Sequence, residues 1–270
     1  MHTPVLLQKA IENLNVITGG KYIDATYGEG GYSEAIVKHG GNVLALDLDV
    51  NQLKSSRVNE LSNLKLIQGN FKDIARIAKE NDYCPVDGVV FDLGLSMRQL
   101  NSLGRGFSYK KPEEPLDMRL SLENELTAKD IIKKSNEIEL YEILAKNSEE
   151  IRAKEIAAMI KSKRKMDVVY DLTEAIDRAV GYKSSSVYAR IFQALRIKVN
   201  DEFENLKQGL AGAVEIIKKE GRIVVVSFHS LEDRIVKNFA KENQLSFFNK
   251  KPIKGLRTFE RSAKLRTILV

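Results

Sequence analysis

Residues 21–47 constrain the fold more than any other stretch. Tyr22-Ile23 reads as the end of a short buried strand, Asp24-Ala25-Thr26-Tyr27-Gly28-Glu29-Gly30-Gly31 as a glycine-rich turn, and Tyr32-Ser33-Glu34-Ala35-Ile36-Val37 as the start of a helix. A second strand, Val43-Leu44-Ala45-Leu46, ends in Asp47. Strand, glycine-rich turn, helix and a second strand closed by an acid form the nucleotide-cofactor half of a doubly wound parallel sheet. Glycine permits the tight turn and lets backbone approach a ligand where a Cβ would clash. The acid can accept hydrogen bonds from ribose hydroxyls.

The loop spacing separates two cofactor classes. A dinucleotide fingerprint reads G-x-G-x-x-G and turns its helix N-terminus to a pyrophosphate. Here the glycines are Gly28, Gly30 and Gly31, position 33 is serine, and Asp24 stands just before the loop, where it repels phosphate. S-adenosylmethionine carries an ammonium and a sulfonium and no phosphate, so an acid at this edge favours it. The competing reading makes Asp24 a strand-end or turn residue.

Leu64–Gln68 and Val86–Asp92 read as third and fourth strands, short and apolar as buried parallel strands are. The next convincing strand is 222–228. The 130 residues from Asp92 to Arg222 far exceed the roughly 30–40 of one strand–helix–strand repeat, and the surplus is helical in pattern. Thr127-Ala128-Lys129-Asp130 is a capping box. Ile151, Ile156, Met159 and Ile160 make an apolar stripe on a helix ending near 161–165. Asp171-Leu172-Thr173-Glu174 starts another helix. From about Ser186 a long helix carries Ile191, Leu195 and Val199 on one face and runs toward Leu206. Residues 106–195 are therefore expected to be a helical domain inserted into a sheet domain made of 1–105 and 196–270. Ser246-Phe247-Phe248 and 265–270 would close the sheet as an antiparallel hairpin. The expected class is α/β, a seven-stranded Rossmann-like class I methyltransferase sheet with an all-helical insert.

No apolar run in the 270 residues approaches the roughly 18 of a membrane span. Met1-His2-Thr3-Pro4 lacks the basic start and apolar core of a signal peptide. The single cysteine, Cys84, excludes an intrachain disulfide, and with three histidines it gives no zinc spacing. A cytoplasmic setting with no membrane and no metal is expected. The net charge of +6 is concentrated: from Lys237 onward nine Lys/Arg stand against Glu242 and Glu260, and the rest of the chain is about neutral. Phe239, Phe247, Phe248 and Phe259 are interleaved with them. Basic residues with aromatics suit a phosphate backbone and unstacked bases. A solvated surface over core phenylalanines fits the same residues.

Ligands of such sheets bind outside the carboxyl ends of the strands, which singles out Asp24, Asp47, Phe71, Asp92 and the segment after Phe228. Phe71 reads either as a ring stacked on adenine or as a core residue. Asp92-Leu93-Gly94-Leu95-Ser96 lacks the acid-or-amide, two-proline, aromatic motif that amino-group methyltransferases often carry here. Arg105-Gly106-Phe107-Ser108 and Pro115-Leu116-Asp117-Met118-Arg119 lie on the loop into the insert, where Asp117 either serves the site or pairs with an arginine. Ser227-Phe228-His229-Ser230-Leu231-Glu232-Asp233-Arg234 follows the fifth strand. His229 is a candidate for chemistry, and Ser230 can cap the next helix with Asp233 completing a capping box.

Together these segments resemble the RsmH (MraW) family of S-adenosylmethionine-dependent methyltransferases over nearly the whole chain. The resemblance runs through His2-Thr3-Pro4-Val5-Leu6-Leu7, Gly28-Glu29-Gly30-Gly31, Asp92 to Ser96 with Gln99-Leu100, and the two loop motifs at 105–108 and 115–119. It continues through Phe192-Gln193-Ala194-Leu195-Arg196-Ile197, Val199-Asn200, 227–237 and Arg261-Ser262-Ala263-Lys264-Leu265-Arg266. It implies methylation of cytidine N4 at the P site of 16S ribosomal RNA. It also implies cofactor contacts from Gly30, Gly31, Tyr32, Asp47, Phe71, Asp92 and Gln99, beside Asp24 and Gly28 from the loop reading. The sequence departs from the family pattern at Tyr32, where the family has histidine, at Ser96-Met97-Arg98, at Asn147-Ser148-Glu149-Glu150 and across 184–191.

A sulfonium methyl is already activated, so alignment and desolvation supply most of the acceleration. The N4 lone pair of cytosine is delocalised into the ring, so an acceptor beside N4–H would favour attack and take the proton. Asp92, Asp117 and His229 are the candidates, and the target base has to leave its stack. Arg105, Arg119, Arg234, Arg257, Arg261, Lys264 and Arg266 are expected to hold RNA. The expected partner is the small ribosomal subunit with its 16S rRNA, and a homodimer is left open. The rivals are a non-catalytic RNA-binding protein on a cofactor fold and a small-molecule methyltransferase.

Overall fold

The computed structural model describes residues 4–49, 62–95, 99–100, 104–257 and 260–270. Met1, His2, Thr3, Ser96, Met97, Arg98 and Phe259 lie outside the described residues. The chain divides into two compact units, Met1–Gly94 with Phe203–Val270, and Leu95–Glu202.

The first unit holds one sheet of β1 (Lys21–Asp24), β2 (Asn42–Asp47), β3 (Leu64–Gln68), β4 (Val86–Asp92), β5 (Ile217–Ser227), β6 (Ser246–Phe247), β7 (Ile253–Lys254) and β8 (Lys264–Leu269). The strand order is β3-β2-β1-β4-β5-β8-β6, and the two-residue β7 pairs with β8 as an eighth strand beyond the expected seven. Strands β1 to β5 are parallel; β8 runs antiparallel to β5, β6 and β7. The order turns around at β1, which lies between β2 and β4. That reversal opens a crevice at the carboxyl ends of β1 and β4, where doubly wound sheets take their ligands.

Strand periodicity sorts the apolar side chains onto the two faces. Ile23, Leu44, Leu46, Val89, Phe91, Ile223 and Val225 face one core, and Tyr22, Val43, Ala45, Val90, Val224 and Val226 face the other. The described helices are α1 (Leu7–Leu14), α2 (Gly31–Lys38), α3 (Ile74–Glu80), α4 (Ala128–Lys134), α5 (Glu137–Ser148), α6 (Ala153–Ser162), α7 (Val169–Val180), α8 (Ser185–Asn200), α9 (Glu202–Ile216) and α10 (Ser230–Glu242). Helices α3, α9 and α10 pack on the first face, with Ile74, Leu210 and Val236 in its core, and α1 and α2 cover the second with Leu14 and Ile36.

The second unit is helical and buries its own core, with Leu140, Leu144, Ile156, Leu172, Ile176 and Leu195 at its centre. Thr127 and Asp130 form both bonds of the expected capping box, Asp130 N–H to Thr127 Oγ1 at 3.1 Å and Thr127 N–H to Asp130 Oδ2 at 3.0 Å. Three expectations differ. Ile151 precedes α6 and is 96% exposed, because that helix begins only at Ala153. The long helix expected to run to Leu206 breaks at Asp201, whose left-handed φ of 47° ends α8. The expected boundaries at 105/106 and 195/196 both fall within the second unit, the latter inside the unbroken α8.

Asn200 ties the end of α8 to the 118–124 loop. Its side-chain oxygen accepts from Leu120 N–H at 2.8 Å and from the Asn124 amide at 3.1 Å, and its amide donates to Met118 O at 2.8 Å and Arg196 O at 2.9 Å. Buried amides left without partners are costly. Asn200→Leu is expected to lower unfolding free energy by about 2–4 kcal/mol, read as an earlier midpoint in urea by near- and far-UV circular dichroism.

Candidate active site

Asp24 ends β1 and is fully buried. Its Oδ2 accepts from Ser33 N–H at 3.1 Å and Ser33 Oγ–H at 2.7 Å, and its Oδ1 from Thr26 N–H at 3.2 Å. It therefore clamps the loop between the strand end and the first turn of α2. This is the strand-end and turn role; the fully buried carboxylate offers no open face to a ligand. Gly28, at φ 54°, donates its N–H to Asp47 Oδ2 at 2.8 Å, and Asp49 N–H reaches Asp47 Oδ1 at 2.8 Å. Gly30 caps α2 with φ 82°, and a Cβ there would stand 2.6 Å from the Tyr27 hydroxyl. A Cβ on Gly31 would stand 2.1 Å from Pro4. The glycines thus admit Tyr27 and the N-terminal segment against the loop.

Asp92 ends β4 beside this loop. Its N–H donates to Thr26 Oγ1 at 2.7 Å, and its Oδ1 accepts from Gly94 N–H at 3.3 Å. Burial pushes the Asp92 carboxyl up to about 7, opposed by the Gly94 hydrogen bond and reinforced by the charges of Asp24 and Glu232. Burial likewise lifts Asp24 to about 6 against its bonds from Ser33 and Thr26. It lifts Asp47 to about 6 against those from Asp49 and Gly28. All three carboxyls are held above the ordinary carboxylate range at one sheet edge, a setting that favours an incoming cation at the half-buried Asp47 and Asp92.

Tyr32, expected to touch the cofactor, is instead a buried core residue, 3% exposed, whose hydroxyl donates to the Val5 carbonyl. Phe71 packs edge-on against Phe91 with ring centres 5.7 Å apart and is half-buried. His229 is the N-cap of α10: its Nδ1 accepts from Glu232 N–H at 3.4 Å, while Glu232 Oε2 accepts from Phe228 N–H at 2.7 Å and His229 N–H at 3.2 Å. The capping pair is His229 with Glu232, one residue earlier than the expected Ser230 with Asp233. His229 Nε2 lies 3.1 Å from Glu232 Oε1 but off the line of a hydrogen bond.

Asp117 belongs to the second unit and is held in a two-pronged pair by Arg119, with Nε to Oδ1 and Nη2 to Oδ2 both at 2.9 Å. Burial works to raise the Asp117 carboxyl, but the bonds and charge of Arg119, with Arg105, outweigh it and hold it low. A carboxylate so engaged is a poor proton acceptor. Arg119 also bonds Asn124 O at 3.0 Å, and Arg105 bonds Arg119 O at 2.9 Å, so both arginines brace their own loop. Gln99 lies in the same unit, half-buried. Arg266 is 8% exposed, paired with Asp233 at 2.5 Å and stacked 5.1 Å from the Phe247 ring, which removes it from the expected phosphate contacts. Lys264 pairs with the same Asp233 at 3.5 Å. Arg234, Arg257 and Arg261 are exposed.

Sequence reasoning missed Thr26, Ser33, Glu232 and Glu260. Thr26 and Ser33 lie within the glycine loop and its helix, so their polarity was a usable signal. Glu232 stands three residues after His229, the spacing of a capping box. Glu260 is buried, accepts from Leu6 N–H at 3.0 Å across 254 residues of sequence, and carried no local signal.

The family model for the MraW methylase family matches residues 1–268. The chain belongs to the MraW methylase family. Among its relatives, Ribosomal RNA small subunit methyltransferase H of Dehalococcoides mccartyi is 44% identical over 88% of this chain and 70% of its own. The protein of the same name from Clostridium botulinum is 36% identical over 98% and 97%. A solved rRNA methylase from Streptococcus thermophilus aligns with a TM-score of 0.46 at 9% identity, over 100% of this chain and 98% of its own. The fold is the Rossmann-like class I methyltransferase fold, and the cofactor is S-adenosyl-L-methionine. The site fits it: the loop presents carboxylates where a phosphate ligand would need donors, and Asp47 ends β2 where ribose hydroxyls are held.

A carboxyl whose folded value is raised contributes stability below its unfolded value, and that contribution is lost as pH rises through the folded value. From Asp24, Asp47 and Asp92 the loss runs from about pH 4 to about pH 7. The cofactor-free protein is expected to melt at a lower temperature at pH 8 than at pH 5.5. A bound cation favours the ionised carboxyls, so cofactor affinity should rise about tenfold over the same range. Calorimetry in buffers of different ionisation heat should show proton release on binding. An affinity flat across this range would contradict the site.

Proposed function

We propose that this protein transfers a methyl group from S-adenosyl-L-methionine to N4 of a cytidine in the P-site decoding region of 16S rRNA, in the cytoplasm, on the small ribosomal subunit. The observation that carries this reading is the whole-chain match to relatives named for small-subunit ribosomal RNA methylation. The cofactor supplies a methyl group already activated by its sulfonium.

Within that reading Asp92 is the proton acceptor. Its place at the end of β4, beside the reversal of strand order, and its affinity for a proton near neutrality suit it to take the N4 proton as the amine attacks. Asp117 and His229 become positioning residues, one for the 117–124 loop and one for the start of α10. Asp24 fixes the loop, and Asp47, Gly28, Gly30 and Gly31 bind the nucleoside end. Arg234, Arg257 and Arg261 meet RNA phosphates, and the helical unit recognises the RNA shape.

The test is methyl transfer from labelled cofactor to unmethylated small subunits, followed by nucleoside mass spectrometry. N4-methylcytidine is expected. Asp92→Asn should slow single-turnover transfer by roughly 10²–10⁴-fold, while His229→Ala should cost about 1 kcal/mol of stability with a smaller rate change. Transfer to a free small molecule, insensitive to salt, would overturn the RNA assignment, since phosphate contacts weaken steeply with salt.

A further inference from the structure

Glu260 holds two segments from opposite ends of the chain. It is buried, and its Oε1 accepts from Leu6 N–H at 3.0 Å while its Oε2 accepts from Arg257 N–H at 3.4 Å. Its own loop is folded closely around it. Glu260 N–H donates to Arg257 O at 2.9 Å, Ala263 N–H donates to Glu260 O at 2.8 Å, and a Cβ on Gly255 would stand 2.2 Å from the Glu260 Cβ. Leu256, Arg257 and Arg261 of this loop are exposed. The loop leads into β8 at Lys264, which pairs with Ser227 at the carboxyl end of β5, so these residues stand at the ligand edge of the sheet.

Leu6 leads in the other direction. Pro4 occupies the space that a Gly31 Cβ would fill, and the Val5 carbonyl accepts from the Tyr32 hydroxyl. Residues 4–6 therefore form a strap across the glycine loop and the first turn of α2. Leu6 itself sits at φ 53°, a left-handed conformation that a bulky L residue rarely adopts. Glu260 fixes that conformation by accepting from the Leu6 N–H. Relaxation of Leu6 to negative φ would swing its N–H off Glu260 and lift Pro4 and Val5 from the loop. The strap thus has two arrangements, seated and released, and the seated one is held by Tyr32 on one side and Glu260 on the other.

We propose that Glu260 is a positioning residue that couples the RNA-facing 255–263 loop to the cofactor loop through this strap. A cofactor held against Gly30 and Gly31 fixes the surface on which Pro4 rests, favours the seated strap and presents Leu6 N–H to Glu260. RNA phosphates held at Arg257 and Arg261 fix the loop that carries Glu260 and favour the same arrangement. Each ligand supplies part of the ordering that the other requires, and the effect is reciprocal. The RNA half of this coupling rests on the substrate proposed above; the link from the cofactor loop to Arg257 does not.

The experiment is amide hydrogen exchange of the full-length protein, read by NMR with and without S-adenosylhomocysteine, the demethylated cofactor. Exchange at Leu6 and at Arg257 should slow together, by about tenfold. Glu260→Gln offers one acceptor oxygen to two donors; it should still bind S-adenosylhomocysteine, but Arg257 should no longer respond. Tyr32→Phe frees the other side of the strap and should uncouple Arg257 in the same way, so it serves if Glu260→Gln does not fold. Unmethylated small subunits should tighten S-adenosylhomocysteine binding to the unaltered protein by about tenfold, and that gain should vanish in Glu260→Gln. Arg257 exchange that ignores the ligand in the unaltered protein, an equal response in Glu260→Gln, or small subunits that bind without tightening S-adenosylhomocysteine overturns the proposal. Coupled exchange with no binding of small subunits would remove the RNA assignment and leave the link between the two loops standing.

Discussion

The structure depends on keeping negative charge at one sheet edge without letting it repel itself apart. Asp24, Asp47, Asp92 and Glu232 all belong to the first unit, and none of the first three carries a side-chain cation among its described hydrogen-bond partners. Backbone N–H groups of Thr26, Gly28, Ser33, Asp49 and Gly94 do that work instead. Amide dipoles are fixed by the chain and cost no side-chain entropy to aim, which is why a loop can stabilise a carboxylate that an incoming cation must still find uncompensated. Partial compensation lifts Asp24 and Asp47 to about 6 and leaves Asp92, at about 7, half-protonated near neutrality, ready to ionise when a positive ligand arrives.

The same economy explains the glycines. Gly28 and Gly30 need positive φ, and Gly31 needs the absence of a side chain because Pro4 lies where its Cβ would be. Gly30 and Gly31 serve neighbours within the protein as directly as they serve a ligand. The cofactor loop is therefore braced from below by Asp24 and Ser33 and from the side by Tyr27 and Pro4.

Much of this was legible in the chain. Strand periods, the glycine turn and the 130-residue gap foretold the doubly wound sheet and its helical interruption, because these rest on local pattern. The antiparallel closure by 246–248 and 265–270 was readable for the same reason. What the sequence concealed depends on long-range partners. Arg266 looks like a phosphate ligand until Asp233 and Phe247 close around it, and Arg105 and Arg119 look exposed until the 117–124 loop folds back on them. Tyr32 reads as a cofactor contact by its position after the glycines, yet its hydroxyl turns to Val5. Asp201 hid the break between α8 and α9, since a left-handed aspartate leaves no mark in an otherwise continuous helical pattern.

The strand order also sets a schedule for synthesis. Leu95–Glu202 is contiguous and can close its own core as soon as it leaves the ribosome, whereas the other unit is written in two pieces on either side of it. β4 waits for β5 as its second neighbour, and β5 for β8, so one edge of β4 and then of β5 stays unpaired while the intervening helices are made. Such edges attract mispairing. An early-folding helical unit ties Gly94 and Phe203 to a compact body during that interval and shortens the search by which the two halves of the sheet meet.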